Sequence, residues 1–547
     1  MASALRDWLD KPKAGRGVHL AGDDGSWEFR EYKALAGAAR RTAAALIEQG
    51  VAPGDVVCVI LPTDYTCIET YYAVWAAGAT VCLVTPPLFQ DGDDYVAHVA
   101  AILRQARPVL VVASDDLAGL AGRAMESAGI SGVPWRPRQA DAEAPVQEAG
   151  ELALLQFTSG SSGSPRGVVV TWENLEANTE LIGRLAGFEE GDVTSSWLPL
   201  YHDMGLIGCF LTPISRQGDL RLMRPDHFIR DPARWVRTFA EAAHTAAPPF
   251  AFAYAARRIK AGQLEGVDLG GWRTAIVGAE PIDPHALEVF ARVAEPYGFA
   301  RESFKPAYGM AETTLLVTLD QVRRRPLAVR PDEASLEFGE PVRILQEHEL
   351  GEESVGAKAG WVVGCGTPEE DVPVVVVDGG VELPEGALGE IVVGGESACG
   401  GYYAGAEGKS TRFEGGLVYT GDAGFFHRGQ LFVLGRMGDS IKVRGRSVYV
   451  EDLEARIAEV SGLGKGRVVV VGVPGAGTRG LALFAETGDE GWVPEVREML
   501  RRRLGADVEV TVVIGTGLIQ RTSSGKPRRR YMWELLRGGR MDGARRL

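Results

Sequence analysis

Between residues 27 and 114 the hydrophobic positions alternate between two spacings. Over 29–49 apolar residues recur at helical intervals (Tyr32, Leu35, Ala39, Ala43, Leu46), and the pattern stops near Gly50, as a helix does. VVCVILP (56–62) is an unbroken apolar run of strand length. The uncharged stretch 70–90 contains YYAVWAAGATVCLVTPPLF, marginal in length for a membrane span. Gly78, Pro86 and Pro87 interrupt it, so it reads as a buried helix, a glycine turn and a strand, TVCLV. PVLVVAS (108–114) is a further strand, and the rhythm resumes beyond Ala153. Residues 138–150, rich in Ala, Glu and Pro, read as a surface connection. Strands alternating with helices predict a mainly parallel, doubly wound α/β sheet.

From 335 to 435 the runs shorten to VPVVVVDG, GEIVVGG and QLFVLGR, separated by glycines, which predicts a small β subdomain. The character changes again around Arg436 to Asp439. The remainder reads strand, helix (450–460), strand (RVVVVGV), strand (LALFAET), helix (493–504), strand: a compact α+β unit. From Ile519 the chain carries nine Lys or Arg against two acids; a solvated basic tail is one reading of such a run.

Composition narrows the class. Hydrophobic residues are 45% of 547 and charged residues 24%, within the globular range. With 58 basic and 73 acidic residues the net charge is −15, against general nucleic-acid binding. Glycine, 70 residues, is roughly twice its usual share of about 7% and has no strict period. The six cysteines (Cys58, Cys67, Cys82, Cys209, Cys365, Cys399) form no CxxC pair, so small buried hydrophobes are expected rather than a zinc or redox centre. The N-terminus shows no apolar core of signal-peptide length. The expectation is a soluble, cytoplasmic chain with no membrane span.

The densest chemistry lies in LLQFTSGSSGSPRGVVVTWENL (154–175). An apolar strand leads into Thr158, Ser159, Gly160, Ser161, Ser162 and Gly163; Arg166 follows, then a second strand. Glycines let successive backbone N–H groups converge on an anion. The hydroxyls add donors, and the Arg166 fork fits phosphate. A flexible Ser/Gly linker has similar composition, but the flanking strands argue for a held loop. The pattern is not G-x-x-x-x-G-K-[ST]. A G-x-G-x-x-G string at 475–480 follows a strand, yet the residues after it read as a strand. Without a helix N-terminus it offers no pyrophosphate seat and reads as a hairpin turn.

Four later motifs join that loop: YGMAETT (308–314), YTGDAGFF (419–426), GRMGDSIKVRGRSVYVEDLE (435–454) and RTSSGKPRRR (521–530). In this order and spacing they resemble the adenylate-forming superfamily of acyl-CoA synthetases, acyl-AMP ligases, peptide-synthetase adenylation domains and luciferases. The resemblance runs from about Trp27 to Lys526. SWLPLYHDMGLIG (196–208) and AAPPFAFAYAARR (246–258) are most similar to the acyl-AMP ligase branch. The resemblance implies an N-terminal adenylation domain (1–436, with 335–435 as its β-rich part), a hinge (437–440, with Asp439) and a small mobile C-terminal lid (441–547).

It also implies roles. Residues 158–163 and Arg166, where the family more often has Lys, match the loop for the β,γ-phosphates of ATP. Gly278, Ala279 and Glu280 resemble the segment lining the adenine pocket, with Tyr308, Gly309, Met310 and Ala311 beside it and the Tyr308 ring offered for stacking. Glu312 is similar to the Mg²⁺ ligand, a hard carboxylate for a hard cation. Thr313 is placed to donate to the α-phosphate. Asp422 resembles the carboxylate for the ribose hydroxyls, with Arg436 nearby. Lys526 matches the cation that neutralises charge building at the reacting carboxylate and α-phosphate. His202 sits where the family gates the acyl pocket; a hydrogen-bonded loop histidine is the plainer reading. Trp197, Met204, Ile207, Phe210, Phe250 and Phe252 are candidates for an apolar acid pocket. Gly438 and Pro527 depart from the family pattern.

The activity implied is ATP- and Mg²⁺-dependent conversion of a hydrophobic carboxylic acid (fatty, polyketide, aryl or terpenoid) to an acyl-adenylate. Pyrophosphate is released and the acyl group passes to a thiol, either CoA or the phosphopantetheine arm of an acyl carrier protein. A long charged segment between YGMAE (308–312) and CGTP (365–368) suits the acyl-AMP ligase branch, which often carries an insertion there. A complete acyl-CoA ligase remains an alternative. So does a non-catalytic relative that binds an acyl-adenylate or a carrier, although Lys526, Glu312 and Asp422 together argue against it. A nicotinamide-dependent oxidoreductase has only the 475–480 string in its favour.

Overall fold

The computed structural model describes residues 4–87, 92–158, 165–320, 323–352, 360–406, 411–437, 440–443, 446–464, 466–473, 480–504, 508–521, 527–541 and 543–547, with backbone alone at 440–443, 446–449, 452, 473 and 530. Two mainly parallel sheets form the N-terminal part. The larger has eight strands. Val193–Ser196, His244–Ala247, Thr274–Val277 and Phe304–Gly309 run parallel side by side, and antiparallel strands lie at both edges. The smaller has five strands. Val56–Ile60 and Thr80–Leu83 lie at its parallel centre, and Leu152–Thr158 pairs antiparallel with Arg166–Thr171 at one edge. Parallel strands covered on both faces explain why VVCVI is buried at every position. The doubly wound expectation holds.

Local chemistry sets the helix limits. The predicted 29–49 helix begins three residues later, because Trp27–Glu31 is an edge strand and the helix is Tyr32–Glu48. Helix Tyr65–Ala76 is capped by Asp64, whose carboxylate accepts the Cys67 N–H at 2.8 Å, an N-cap contact. It ends at Gly78, which has φ +79° and lies so close to the 148 carbonyl that a Cβ would come within 2.3 Å of it. All six cysteines are buried and unbridged. Among the described residues no helix is long and apolar enough to cross a membrane.

The β-rich part contains a six-stranded antiparallel sheet, including Gly389–Val393, Leu417–His427 and Gln430–Arg436, and a three-stranded sheet. The charged segment after YGMAETT is folded into the latter: Leu327–Pro331 pairs with Ile344–Glu349 and Val362–Val363. The C-terminal unit follows the predicted order. Helices Val450–Ser461 and Val493–Leu504 pack on a sheet of Val468–Val473, Gly480–Glu486 and Glu509–Gly515. Val473 faces Gly480 across an antiparallel pair, as a hairpin requires, while 474–479 lie outside the described residues. The basic tail is not simply solvated. Arg529–Arg537 is a helix whose Met532 is fully buried against Val469, Phe484 and Val513. The charge run suggested a solvated tail, although Tyr531, Met532, Trp533, Leu535 and Leu536 give the helix an apolar side. Glu333 receives both Arg456 and Arg503 of the C-terminal unit, the latter at 2.6 Å.

Candidate active site

Four adjacent parallel strands of the large sheet end on the same edge, and each is followed by sequence-selected residues. Val193–Ser196 leads to Trp197, His244–Ala247 to Phe250, and Thr274–Val277 to Gly278, Ala279 and Glu280. Phe304–Gly309 ends with Tyr308 and leads to Glu312. In open α/β sheets ligands bind beyond the carboxyl ends of the strands, so topology alone directs attention here.

Glu312 sits in a 3₁₀ turn, Ala311–Thr313, and is 5% exposed. Its Oε1 accepts the Tyr402 hydroxyl at 2.6 Å, its only side-chain partner among the described residues. The backbone around it is tightly constrained. Gly309 passes so near the 315 carbonyl that a Cβ would lie 1.8 Å from it. Thr314 has φ +65° and ψ −61°, and Leu315 N–H donates to Thr313 O at 2.7 Å. This is a γ-turn of the strained hand, rare for a non-glycine residue and of the sort held only where the surroundings over-determine it. Those surroundings are visible. Thr314 Oγ1 donates to Ser397 O at 2.8 Å, and buried Asn178 bonds both the Leu316 carbonyl (2.8 Å) and its N–H (3.0 Å). Asn178 rides on helix Trp172–Leu185, which starts with a capping box between Thr171 and Asn174. Met310 and Ala311 are buried. Thr313 is fully buried and its hydroxyl donates to Met310 O at 2.9 Å. Its proton is therefore used inside the turn, and donation to a phosphate requires the hydroxyl to rotate.

The second carboxylate, Asp422, is 7% exposed in strand Leu417–His427. It lies opposite Arg436 in register, and Arg436 Nε is 2.9 Å from Oδ1. Oδ2 accepts the Tyr308 hydroxyl at 2.7 Å. Burial, then the neighbouring Asp422 charge, holds the Tyr308 hydroxyl well above its ordinary pKa, so it remains a donor. Tyr308 thus does more than offer a ring. Arg436 Nη1 also reaches Thr411 Oγ1 (3.3 Å) and Thr420 O (3.2 Å). Beside this group Gly278 is buried, while Ala279 is exposed with φ +68°. Glu280 is also exposed and accepts the Phe250 N–H at 3.3 Å.

Thr158 and Arg166 face each other where strands Leu152–Thr158 and Arg166–Thr171 open into the Ser/Gly loop. Among the described residues Thr158 Oγ1 is buried with no hydrogen-bond partner, a position for an incoming acceptor or donor. The Arg166 guanidinium lies 5.0 Å from the Tyr402 ring centroid. Ser159, Gly160, Ser161, Ser162, Gly163, the hinge Asp439, Gly438 and Lys526 lie outside the described residues.

The apolar candidates do not share one environment. Residues Met204–Leu211 form a π-helix, a wide turn often found at functional sites. Met204 joins one core with Trp197 and Phe252, whereas Ile207 and Phe210 join another that includes Tyr308. Phe250 is 50% exposed and meets Trp197 edge-on at 6.1 Å. Gly208 faces Leu315, with 3.3 Å for a Cβ, so the π-helix packs on the segment just after the Glu312 turn. His202 is half-buried, with Nδ1 2.7 Å from Asp203 Oδ1.

Sequence reading missed Tyr402, Asn178 and Thr314. Their roles arise from contacts between segments distant in sequence, and GYY or ANT carries no chemical signature. The arrangement offers a buried carboxylate for a hard cation, a second carboxylate with hydrogen-bonding capacity left on each oxygen, and a hydroxyl without a partner among the described residues beside an arginine. A nucleotide phosphate chain with Mg²⁺ fits these groups.

Residues 13–403 match the family model described as "AMP-binding enzyme". The chain is 31% identical over 539 residues to the long-chain-fatty-acid–AMP ligase FadD26 of Mycobacterium marinum, covering 90% of this chain and 89% of that one. It is 30% identical to a 4-hydroxyphenylalkanoate adenylyltransferase of the same organism, covering 91% and 83%. A solved structure from work on the fatty acyl-adenylate ligases of E. coli and L. pneumophila superposes with a TM-score of 0.84 at 25% identity, covering 98% of each chain.

Proposed function

The chain belongs to the AMP-binding enzyme family, and from that premise we propose that it is an acyl-AMP ligase for a hydrophobic carboxylic acid. A carboxylate oxygen of the acid attacks the α-phosphorus of ATP, the bond from that phosphorus to the pyrophosphate oxygen breaks, and an acyl-adenylate forms. In this reading Thr158, residues 159–163 and Arg166 hold the β,γ-phosphates. Gly278, Ala279, Glu280, Tyr308, Gly309, Met310 and Ala311 border the adenine. Asp422 and Arg436 hold the ribose. Glu312 holds Mg²⁺, which supplies charge neutralisation at the phosphates. Thr313 and Lys526 address the α-phosphate, Lys526 from the C-terminal unit across a hinge at Asp439. His202, Trp197, Met204, Ile207, Phe210, Phe250 and Phe252 belong to the acid's side of the site. Most of the acceleration comes from positioning and preorganised charge.

The observation that carries this reading is the convergence, on the carboxyl edge of the large sheet, of two buried carboxylates that each accept a tyrosine hydroxyl. The acyl group then passes to a thiol, CoA or a carrier's phosphopantetheine. The test is pyrophosphate release with Mg·ATP and a panel of acids, with and without CoA, products identified by mass. Long-chain fatty acids and 4-hydroxyphenylalkanoates head the panel, since the relatives are named for them. Release without CoA, with acyl-adenylate accumulating, is the expected outcome. Acyl-CoA formed on CoA addition makes the chain a complete ligase. A protein that neither binds ATP nor releases pyrophosphate with any acid overturns the reading.

A further inference from the structure

Residues 397–402 contain none of the motifs that pointed to the site, yet they stitch its two phosphate-facing parts together. On one side they hold the Glu312 turn. Cys399 N–H donates to Glu312 O at 3.0 Å, and Ser397 O accepts Thr314 Oγ1 at 2.8 Å. On the other side they lie along strand Arg166–Thr171. Val169 N–H donates to Gly401 O at 3.1 Å, and Tyr402 bridges Val168. Asn174, one turn into the following helix, donates to Glu396 O and Ala398 O. Tyr402 stands where these supports meet. Its ring packs edge-on to Phe413 at 5.1 Å and faces the Arg166 guanidinium. Its hydroxyl donates to Glu312 Oε1 at 2.6 Å.

The structure assigns Tyr402 as a positioning residue that orients the Glu312 carboxylate for Mg²⁺ and couples it to the Arg166 phosphate cation, an inference that rests on the reading of the site given above. The hydroxyl occupies one carboxylate oxygen and fixes the plane of the group, so that Oε2 is directed by the protein before a cation arrives. A carboxylate ligand held by an outer hydrogen bond binds its metal more tightly than a free rotor. A neutral donor does this without cancelling the charge that attracts the cation, as an arginine in the same place would. The ring meanwhile gives Arg166 an aromatic face on which to rest. One side chain thus serves both opposite charges through two different surfaces, its face and its hydroxyl.

The test is calorimetric ATP binding to the full chain, without acid substrate, across a Mg²⁺ series, for wild type, Tyr402→Phe and Tyr402→Leu. Tyr402→Phe keeps the ring and loses the hydroxyl. It is expected to need about tenfold more Mg²⁺ to reach half of the metal-dependent gain in ATP affinity, with wild-type affinity restored at saturating Mg²⁺. Tyr402→Leu, lacking the ring too, should show the same Mg²⁺ shift and a loss of ATP affinity that Mg²⁺ does not restore. Mn²⁺ bound in the ATP complex, followed by paramagnetic resonance, should weaken in parallel for Tyr402→Phe. An unchanged Mg²⁺ midpoint in a folded Tyr402→Phe protein overturns the assignment and leaves the ligase reading standing. A loss of ATP affinity in Tyr402→Phe that is equal with and without Mg²⁺ overturns it as well. A wild-type protein that binds no ATP overturns both.

Discussion

The two ends of the site handle a buried carboxylate differently. At the Asp422 end the charge is already paired: Arg436 takes one oxygen and Tyr308 the other. At the Glu312 end the sole side-chain partner among the described residues is a neutral hydroxyl. Each oxygen of an ionised carboxylate has two acceptor sites. Asp422 can therefore be neutralised by the protein and still receive hydroxyl groups of a neutral sugar. In the proposed reading Glu312 is left for a cation, with which an arginine placed as Arg436 is beside Asp422 would compete. The identity of the residue is less informative than what has been placed beside it. A buried Asp with an arginine suits a polar, uncharged ligand group, and a buried Glu whose side-chain partner among the described residues is a tyrosine suits a metal.

The largest expected effect comes from a residue belonging to neither end. Lys526→Ala should slow acyl-adenylate formation by about a hundred- to a thousandfold while ATP binding by calorimetry stays within a few-fold. Unchanged pyrophosphate release would remove Lys526 from the chemistry and leave the two ends to account for turnover alone. Asp422→Asn tests the ribose end. It keeps the shape and loses the charge that Arg436 faces, and KM for ATP should rise about tenfold or more. The wild-type preference for ATP over 2′-deoxy-ATP should shrink, and a preference that persists at full strength would separate Asp422 from the sugar. Tyr308→Phe is milder, because Arg436 still holds the carboxylate. A rise of about fivefold in KM for ATP is expected, and the double variant with Asp422→Asn should show little added loss. Fully additive losses would mean that the 2.7 Å hydrogen bond does not organise Asp422.

The smallest effect lies outside the site and serves as a contrast. Asp192 precedes strand Val193–Ser196 and accepts His244 Nε2 at 2.8 Å, the Glu189 N–H at 2.6 Å, and Arg273. Burial opposes its ionisation, but these hydrogen bonds outweigh it and bring the carboxyl down to about 2. A depressed folded pKa contributes stability that is present above the unfolded value near 4 and is lost as pH falls toward about 2. Asp192→Asn should flatten that acid limb in thermal melts between roughly pH 4 and pH 2. It should leave pyrophosphate release at neutral pH unaltered. A change in neutral-pH turnover would tie this cluster to the site, and an unchanged acid limb would mean that the hydrogen bonds do not survive in solution.

Much of the molecule was legible in the sequence because its signals are local. Unbroken VVCVI and TVCLV required parallel strands covered on both faces. The buried helix before Gly78 and the strand after it were read from one uncharged stretch, 70–90. The helix Arg529–Arg537 was not read, because the arginine run pointed to a solvated tail; Met532, Trp533 and Leu536 show their purpose only where they meet Val469, Phe484 and Val513. Nor was the division of the apolar pocket candidates. Met204 and Ile207 stand three apart in the sequence, yet the π-helix Met204–Leu211 gives them different cores.

Read alone, the chain showed most of its strands and helices in order and, through motifs that resemble the adenylate-forming superfamily, singled out the 158–166 segment, Glu312 and Asp422. The tertiary structure alone decided how each carboxylate is dressed. Tyr308 reaches Asp422, Tyr402 reaches Glu312 and Arg166, and Asn178 holds the strained turn at Thr314 through contacts between chain segments far apart in sequence. A hydrogen bond depends on where two atoms lie, and their separation along the chain does not set that distance until the sheets have packed.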